Sequence, residues 1–257
     1  MLRMLRIFRP AALILLMGLL GGCASLPDDY RDPRDPWEPY NRTMHTFNTE
    51  FDNTICMPVA EAYRFYTPQV VDKGVTNFFN NIRDFTSAVS NLLQFKLSRA
   101  ATDVGRIVVN STIGLLGFLD VASNMDLPSY KEDFGQTFGY WGIGPGPYFV
   151  LPILGPSSVR DAIGIIPDWY TQPVAYLDDR SARWGLAILF AIDKRADLLG
   201  ASRVLEEAAL DPYSFTRDAY LQKRRNDVYD GNPPPEEDEY WEEESAAGQD
   251  KTPEPAN

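Results

Sequence analysis

Trp184-Gly-Leu-Ala-Ile-Leu-Phe-Ala-Ile192 runs nine residues without a charge. Residues 107–119 form a second apolar stretch, broken mainly by Asn110, Ser111 and Thr112. A straight helix needs ~20 apolar residues to cross a bilayer, so neither stretch crosses one. Periodicity alone makes them buried core helices of a soluble body. A second reading lays them in the headgroup and upper acyl region of one leaflet.

Helical spacing dominates around these stretches. Val59, Ala62, Tyr63, Tyr66, Val70 and Phe78 recur at helical intervals, with a break near Pro68. Asp84 is placed to cap a helix through Phe85, Val89, Leu92, Leu93 and Leu97. Val104, Ile107 and Val108 open another that continues into residues 113–119. Ser158-Val-Arg-Asp161 has capping-box form and opens residues 159–166, which Pro167 closes. Residues 182–199 read as a helix ending at Gly200, and Ser202 starts a short one to Leu210. Asp211-Pro212 is an N-cap followed by proline at the first helical position, opening residues 213–229. Residues 148–154 are the only strand candidate, split by Pro152. The fold class is therefore all-α, with bent connectors rich in Gly and Pro.

The N-terminus sets the compartment. Arg3, Arg6 and Arg9 precede an apolar run over residues 11–20, too short to span a bilayer. Leu20-Gly-Gly-Cys23 resembles a bacterial lipobox, in which Cys23 is diacylated on sulfur and becomes the first residue after cleavage. A plain secretory signal with a chance cysteine is the alternative. By resemblance to the sorting rules of such proteins, Ala24 and Ser25 point to the outer membrane. Two or more acyl chains hold a protein stably on a membrane. Acylated Cys23 leaves Cys56 without an intramolecular disulfide partner, so packing must supply the stability.

The chain of 257 residues carries 24 Lys+Arg against 36 Asp+Glu, a net charge of −12. Removing residues 1–22 leaves 235 residues at −15. That balance argues against nucleic acid as partner. One His and two Cys argue against zinc sites of Cys/His type, and no metal site is expected. The expected organisation is a leader (1–22), lipidated Cys23 with a Pro-broken tether (23–36), a helical domain (37–229) and an acidic tail (230–257). The tail sets ten acids against Lys251 alone. Such a segment cannot bury enough apolar area to offset ordering entropy, and it reads as solvated. Docking to a basic partner is its other reading.

Catalytic residues are not expected. His45 beside Met44 and Phe47 reads as packed or surface, because general-base work needs an oriented imidazole. Gly155-Pro-Ser-Ser-Val159 is not G-x-S-x-G, and neither a P-loop nor H-E-x-x-H occurs. The run over residues 138–156 cannot form a phosphate nest, since Pro145 and Pro147 lack N–H donors. Its aromatics Phe138, Tyr140, Trp141, Tyr148 and Phe149 suit a membrane interface or a packed connector. Arg42, Asp84, Arg106, Arg160 and Asp161 lie among apolar neighbours. Each either meets a lipid headgroup along a path or forms a structural ion pair.

Four stretches taken in order resemble the MlaA (VacJ) lipoprotein family. They are Asp35-Pro-Trp-Glu-Pro-Tyr-Asn-Arg-Thr-Met44 with Phe47-Asn48, residues 110–122, residues 134–148, and Leu151-Pro-x-x-Gly155 with Val159-Arg-Asp161. The resemblance spans residues 35–220. It implies a ring of amphipathic helices within one leaflet around a central channel. It implies no cofactor other than the Cys23 acyl chains, with phospholipid as the transported ligand. The implied role is retrograde transport: removal of phospholipid mislocalised in the outer leaflet and hand-off to the periplasmic carrier MlaC, with a trimeric porin as partner. The implied location is the periplasmic side of the outer membrane. Residues 121–137 correspond to a gating loop near the channel, with Asn124, Pro128 and Ser129 in its mobile part. An envelope scaffold that binds porin without moving lipid is the alternative, and a lipid hydrolase is disfavoured by the missing nucleophile motif.

Overall fold

The computed structural model describes residues 32–235, apart from the side chains of 203–208. The leader, Cys23, most of the tether and the acidic tail from residue 236 lie outside the described residues. The elements are α1 (Glu38–Phe51), α2 (Met57–Tyr66), α3 (Gln69–Leu93), α4 (Leu97–Thr112), α5 (Val121–Asn124), α6 (Phe134–Tyr140), β1 (Tyr148–Leu151), β2 (Gly155–Ser158), α7 (Val159–Thr171), α8 (Arg180–Ala208) and α9 (Pro212–Val228). A π-turn over Asp52–Cys56 joins α1 to α2, and a 3₁₀ turn over Pro173–Tyr176 precedes α8. No helix among the described residues is long and apolar enough to cross a membrane.

The helix joints follow local chemistry. Pro58 has no N–H to give the turn before it, and the chain widens there so that the Met57 N–H bonds the Asp52 carbonyl. Cys56, in that turn, is a free thiol. Thr67 turns extended before Pro68, which separates α2 from α3 as the sequence suggests. Asp84 is not a cap: it sits inside α3, buried, because its partner Arg106 lies across on α4. α4 stops at Thr112, and residues 113–119 are turns rather than helix. Leu115, Leu116 and Gly117 take positive φ there, and Gly117 donates back to the Asn110 carbonyl at 2.8 Å. α7 continues through Pro167 to Thr171. α8 runs unbroken past Gly200, so the short helix expected from Ser202 belongs to it.

The strand candidate becomes a hairpin, with Pro152 in its turn and Tyr148 opposite Ser158. Two side-chain amides of α1 extend it. The Asn41 amide nitrogen donates to the Tyr148 carbonyl at 3.1 Å, and its oxygen accepts from the Val150 N–H at 2.9 Å. Seven residues on, Asn48 does the same with the Leu151 carbonyl (2.9 Å) and the Ile153 N–H (2.7 Å). Tyr148 and Val150 turn inward onto Tyr213 of α9. Asp35, assigned to the tether from sequence, is buried and bonded by Asn41, Tyr213 and Arg217. Asp230, assigned to the tail, is held by Lys96 and Arg99. The packed body therefore takes in both.

The polarity of the body is inverted. Among the described residues, 21 polar or charged side chains are buried against 12 apolar ones. Apolar packing is confined to small clusters, such as Val75, Phe79, Ile82 and Val174 with Leu186 and Phe190. Outward-facing apolar residues are plentiful: Leu92 is 55% exposed, Val108 56%, Leu116 70% and Trp184 65%. The expectation that the two apolar stretches are shielded core helices is overturned for these faces. In water such a surface costs roughly 25 cal/mol per Å², and patches of this extent mark contact with a membrane or partner.

α6 and α7 cross where two glycines face each other. A Cβ on Gly164 would stand 2.7 Å from the Gly135 backbone nitrogen, which has no room to give. Gly164→Ala is expected to destabilise the body by about 1–3 kcal/mol. Gly185→Ala, where nothing lies within 4 Å of the new methyl, is expected to be neutral or stabilising. Thermal unfolding in mild detergent checks both, and equal stability of the two variants would refute the tight crossing.

Candidate functional site: a polar seam under residues 120–137

Asn81, Asp84, Ser87, Asn91 and Gln94 recur every three or four residues and form one polar stripe on α3. Asp103, Arg106 and Asn110 form the matching stripe on α4. The stripes meet face to face. Arg106 donates to Asp84 at 3.1 Å, and Asn91 donates to Asp103 at 2.8 Å. The opposite faces carry Val89, Leu92, Val104 and Val108, all exposed. Both helices are thus amphipathic with their polar sides turned inward.

Residues 120–137 are sewn over this seam. Arg106 donates to the Leu127 carbonyl at 2.7 Å, to Ser123 at 3.1 Å and to Asp120 at 3.2 Å. Ser129 donates to the other oxygen of Asp84 at 3.4 Å. The Glu132 N–H donates to Ser87 at 3.1 Å, and Gln94 donates to Glu132 at 3.0 Å. At the far end Arg224 pairs with Asp133 at 2.7 Å, and the Phe134 N–H donates to Asp168 at 2.9 Å. Asn124 and Pro128 stay exposed, with Asn124 donating only to the Asp120 carbonyl.

Of the residues singled out from sequence, Asp84, Arg106 and Ser129 come together here. Asp84 and Arg106 are each 3% exposed at the side chain, so neither is open to a ligand in this conformation. Arg160 and Asp161 lie in a second cluster with Tyr220 and Arg224, beside a cavity of about 770 Å³. Ser158 caps α7 through the Asp161 N–H, as the motif predicts, but the Asp161 carboxylate turns to Arg160, Tyr220 and Arg224 instead of back to the cap. Arg42 stands apart, paired with Glu38 and Asp211 and stacked on Tyr213. His45 packs edge-on against Tyr213, and burial lowers its pKa. Cys23 lies outside the described residues.

Electrostatics divide the two clusters. Burial pushes Asp103 up to about 7, and the bond from Asn91 offsets only part of it. Burial likewise raises Asp84, outweighing the Arg106 partner. In the second cluster burial also raises Asp161, but Arg224 and Tyr220 win and hold it at about 2. Sequence reasoning missed Lys131, Arg83 and Ser90. Lys131 lies in the covering segment, and its pKa is lowered first by burial and then by the like charge of Arg83 and Lys194. Four oxygens of the seam (Asn81 Oδ1, Ser90 Oγ, Asn91 Oδ1 and Asp103 Oδ1) have no hydrogen-bond partner among the described residues. Buried polar oxygens without a partner are rare in native proteins, and four of those found here gather in one seam. The three- and four-residue repeat of polar side chains between residues 81 and 110 was the signal available for them.

Residues 33–227 match the profile of the MlaA lipoprotein family. The chain is 34% identical over 223 residues to the intermembrane phospholipid transport system lipoprotein MlaA of Escherichia coli (strain K12), covering 84% of this chain and 86% of that one. It is 30% identical to the Haemophilus influenzae protein of the same name, covering 82% and 87%. An uncharacterised Rickettsia bellii protein is 32% identical over 210 residues, with 81% and 80% covered. A solved structure reported as "Structural basis for maintenance of bacterial outer membrane lipid asymmetry" superposes with a TM-score of 0.68 at 33% identity. It covers 77% of this chain and 100% of its own.

Asp103 gives the seam a pH signature. Its folded pKa of about 7 lies above the ordinary 3.8, so between those values the folded state binds more protons than the unfolded. Stability therefore falls as pH rises through that window and is flat beyond it. Asp103→Asn removes the penalty while keeping an oxygen for Asn91. Its gain in Tm is expected to be larger at about pH 8 than at about pH 5. An equal shift at the two pH values would show that Asp103 is ionised throughout.

Proposed function

Because the chain belongs to the MlaA lipoprotein family, we propose that it is the outer-membrane lipoprotein of a retrograde phospholipid transport system. It removes phospholipid mislocalised in the outer leaflet and passes it to a soluble periplasmic carrier of the MlaC type. Acyl chains on Cys23 hold it at the periplasmic face, and a trimeric porin supports it there. The observation that carries this reading is the inverted polarity: apolar faces outward, and an inward polar seam with orphaned oxygens. Such a body is soluble in a leaflet, as a ring of amphipathic helices around a wet centre.

The mechanism is physical rather than covalent. Drawing a charged headgroup through hydrocarbon costs many kcal/mol when it is stripped of water and partners. A polar lane lowers that barrier while the acyl tails stay in lipid. No carboxylate lies within ion-pair distance of Arg83 or Lys131 among the described residues, although Asp168 and Asp84 act on them through space, and the two cations suit the phosphate as it passes. Arg106 and Asp84 act as the latch of the covering segment, so residues 120–137 are the gate. Arg160, Asp161 and Arg42 hold the frame, with Arg160 and Asp161 flanking the larger cavity.

Deletion of the gene is expected to raise outer-leaflet phospholipid, read by acylation of lipid A or by phospholipase accessibility. Intact asymmetry with disturbed porin assembly would favour a scaffold that moves no lipid. The gate has its own check. In a Cys56→Ser background, Ser87→Cys with Glu132→Cys joins positions already bonded at 3.1 Å. Oxidation should slow lipid removal several-fold and reduction should restore it. Normal transport with the crosslink formed rejects the gate. Arg83→Ala with Lys131→Ala should lower transport without lowering Tm, because neither side chain forms an ion pair among the described residues.

A further inference from the structure

A cavity of about 540 Å³ opens between the C-terminal half of α7 and the first turns of α8. Trp169 and Trp184 form walls, and Arg180, Arg183 and Ala187 complete the lining. None of these residues belongs to α3, α4 or the segment 120–137. Arg180, Arg183, Trp184 and Ala187 are spaced to share one face of α8. Leu186, Leu189 and Phe190, on the adjoining face, pack on the cluster of Val75, Phe79 and Ile82.

The arginines are the unusual feature. Arg42, Arg106, Arg160, Arg195, Arg217 and Arg224 each close on a carboxylate. Among the described residues no carboxylate lies within ion-pair distance of Arg180 or Arg183. Asp179, the adjacent acid, is engaged instead by the Ser181 N–H at 2.8 Å. Two guanidiniums without an ion-pair partner, lining one cavity with two tryptophans, suit a phosphate ester. Ile166 (61% exposed) and Tyr170 (62%), close to Trp169 in sequence, and Ile188 (57%), next to Ala187, give the lining residues an apolar and aromatic rim of sequence neighbours. Such a rim sits at headgroup depth in a bilayer.

We propose that this cavity binds the phosphodiester headgroup of an anionic phospholipid from the leaflet in which the body lies. Among the described residues the lining has no acid to receive an ammonium group, so anionic headgroups are preferred over zwitterionic ones. The apolar rim favours a lipid over a free phosphate, because acyl tails cover Ile166, Trp184 and Ile188 while water does not. Lipid held there fixes the depth and tilt of α7 and α8. The inference rests on the leaflet-embedded reading above and is independent of transport.

The test uses the purified, acylated full chain in neutral detergent, titrated with brominated phosphatidylglycerol or brominated phosphatidylcholine, with tryptophan quenching as readout. Phosphatidylglycerol is expected to half-quench at a concentration at least about tenfold lower. Arg180→Gln with Arg183→Gln should abolish the difference, and Arg180→Lys with Arg183→Lys should keep part of it. Millimolar inorganic phosphate should leave the quenching in place. Equal quenching by the two lipids, or a preference that survives the glutamine pair, overturns the proposal. Relief by inorganic phosphate also overturns it, because the occupant is then a soluble anion. Arg180 is exposed and Arg183 half-buried, so an unchanged Tm is expected for both pairs. The result stands or falls in purified protein, whatever gene deletion does to lipid asymmetry.

Discussion

A guanidinium buried between two helices must be met where it lies, and Arg106 is met on every side. Asp84 comes from α3, Asp120 and Ser123 from the start of the covering segment, and the Leu127 carbonyl from its middle. Removing one partner of such an arrangement leaves an uncompensated buried charge, at a cost of about 3–5 kcal/mol. The arrangement is therefore both strong and brittle. It closes the seam in one geometry, and any opening must re-solvate the arginine or hand it another anion. Under the proposed function a lipid phosphate would be such an anion, and opening would then be coupled to occupancy.

The polarity of the body follows from the same constraint. A soluble domain places its apolar side chains inward and gains most of its stability there. Here the helices turn polar stripes inward, and apolar clusters remain only where α3 meets α8, α2 meets α8, and the hairpin meets α9. Hydrogen bonds and ion pairs carry the interior, and the apolar faces are left to whatever surrounds the body. Isolated in water, a body of this kind has little reason to keep its shape.

Much of this was legible in the sequence. The helical periodicity, the break at Pro68, the Asp211 cap and the Ser158 cap follow from local chemistry and reappear in the structure. The failures come from reading single residues as boundaries. Asp84 reads as a cap because a lone acid before an apolar run usually is one, and its partner lies 22 residues away. Pro167 reads as a stop, yet α7 carries it inside. Gly200 reads as a terminus, yet α8 passes through. Asp84 depends on a contact distant in sequence, which periodicity does not report, and Pro167 and Gly200 show that a single breaker residue does not by itself end a helix. The site was partly legible: Arg106, Asp84 and Ser129 stand out from the sequence, whereas Arg83 and Lys131 do so only once the chain is folded. The direction in which the apolar faces point was not legible, because periodicity marks a face without saying whether protein or lipid covers it.

Asn41 and Asn48 use their amides as short pieces of backbone, filling the outer rim of β1 as a neighbouring strand would. Pro156 removes a donor from the outer rim of β2. The sheet is therefore finished at two strands on either side. Wherever copies of the chain meet side by side, neither rim offers a template for strand exchange, and the hairpin stays with the molecule that made it.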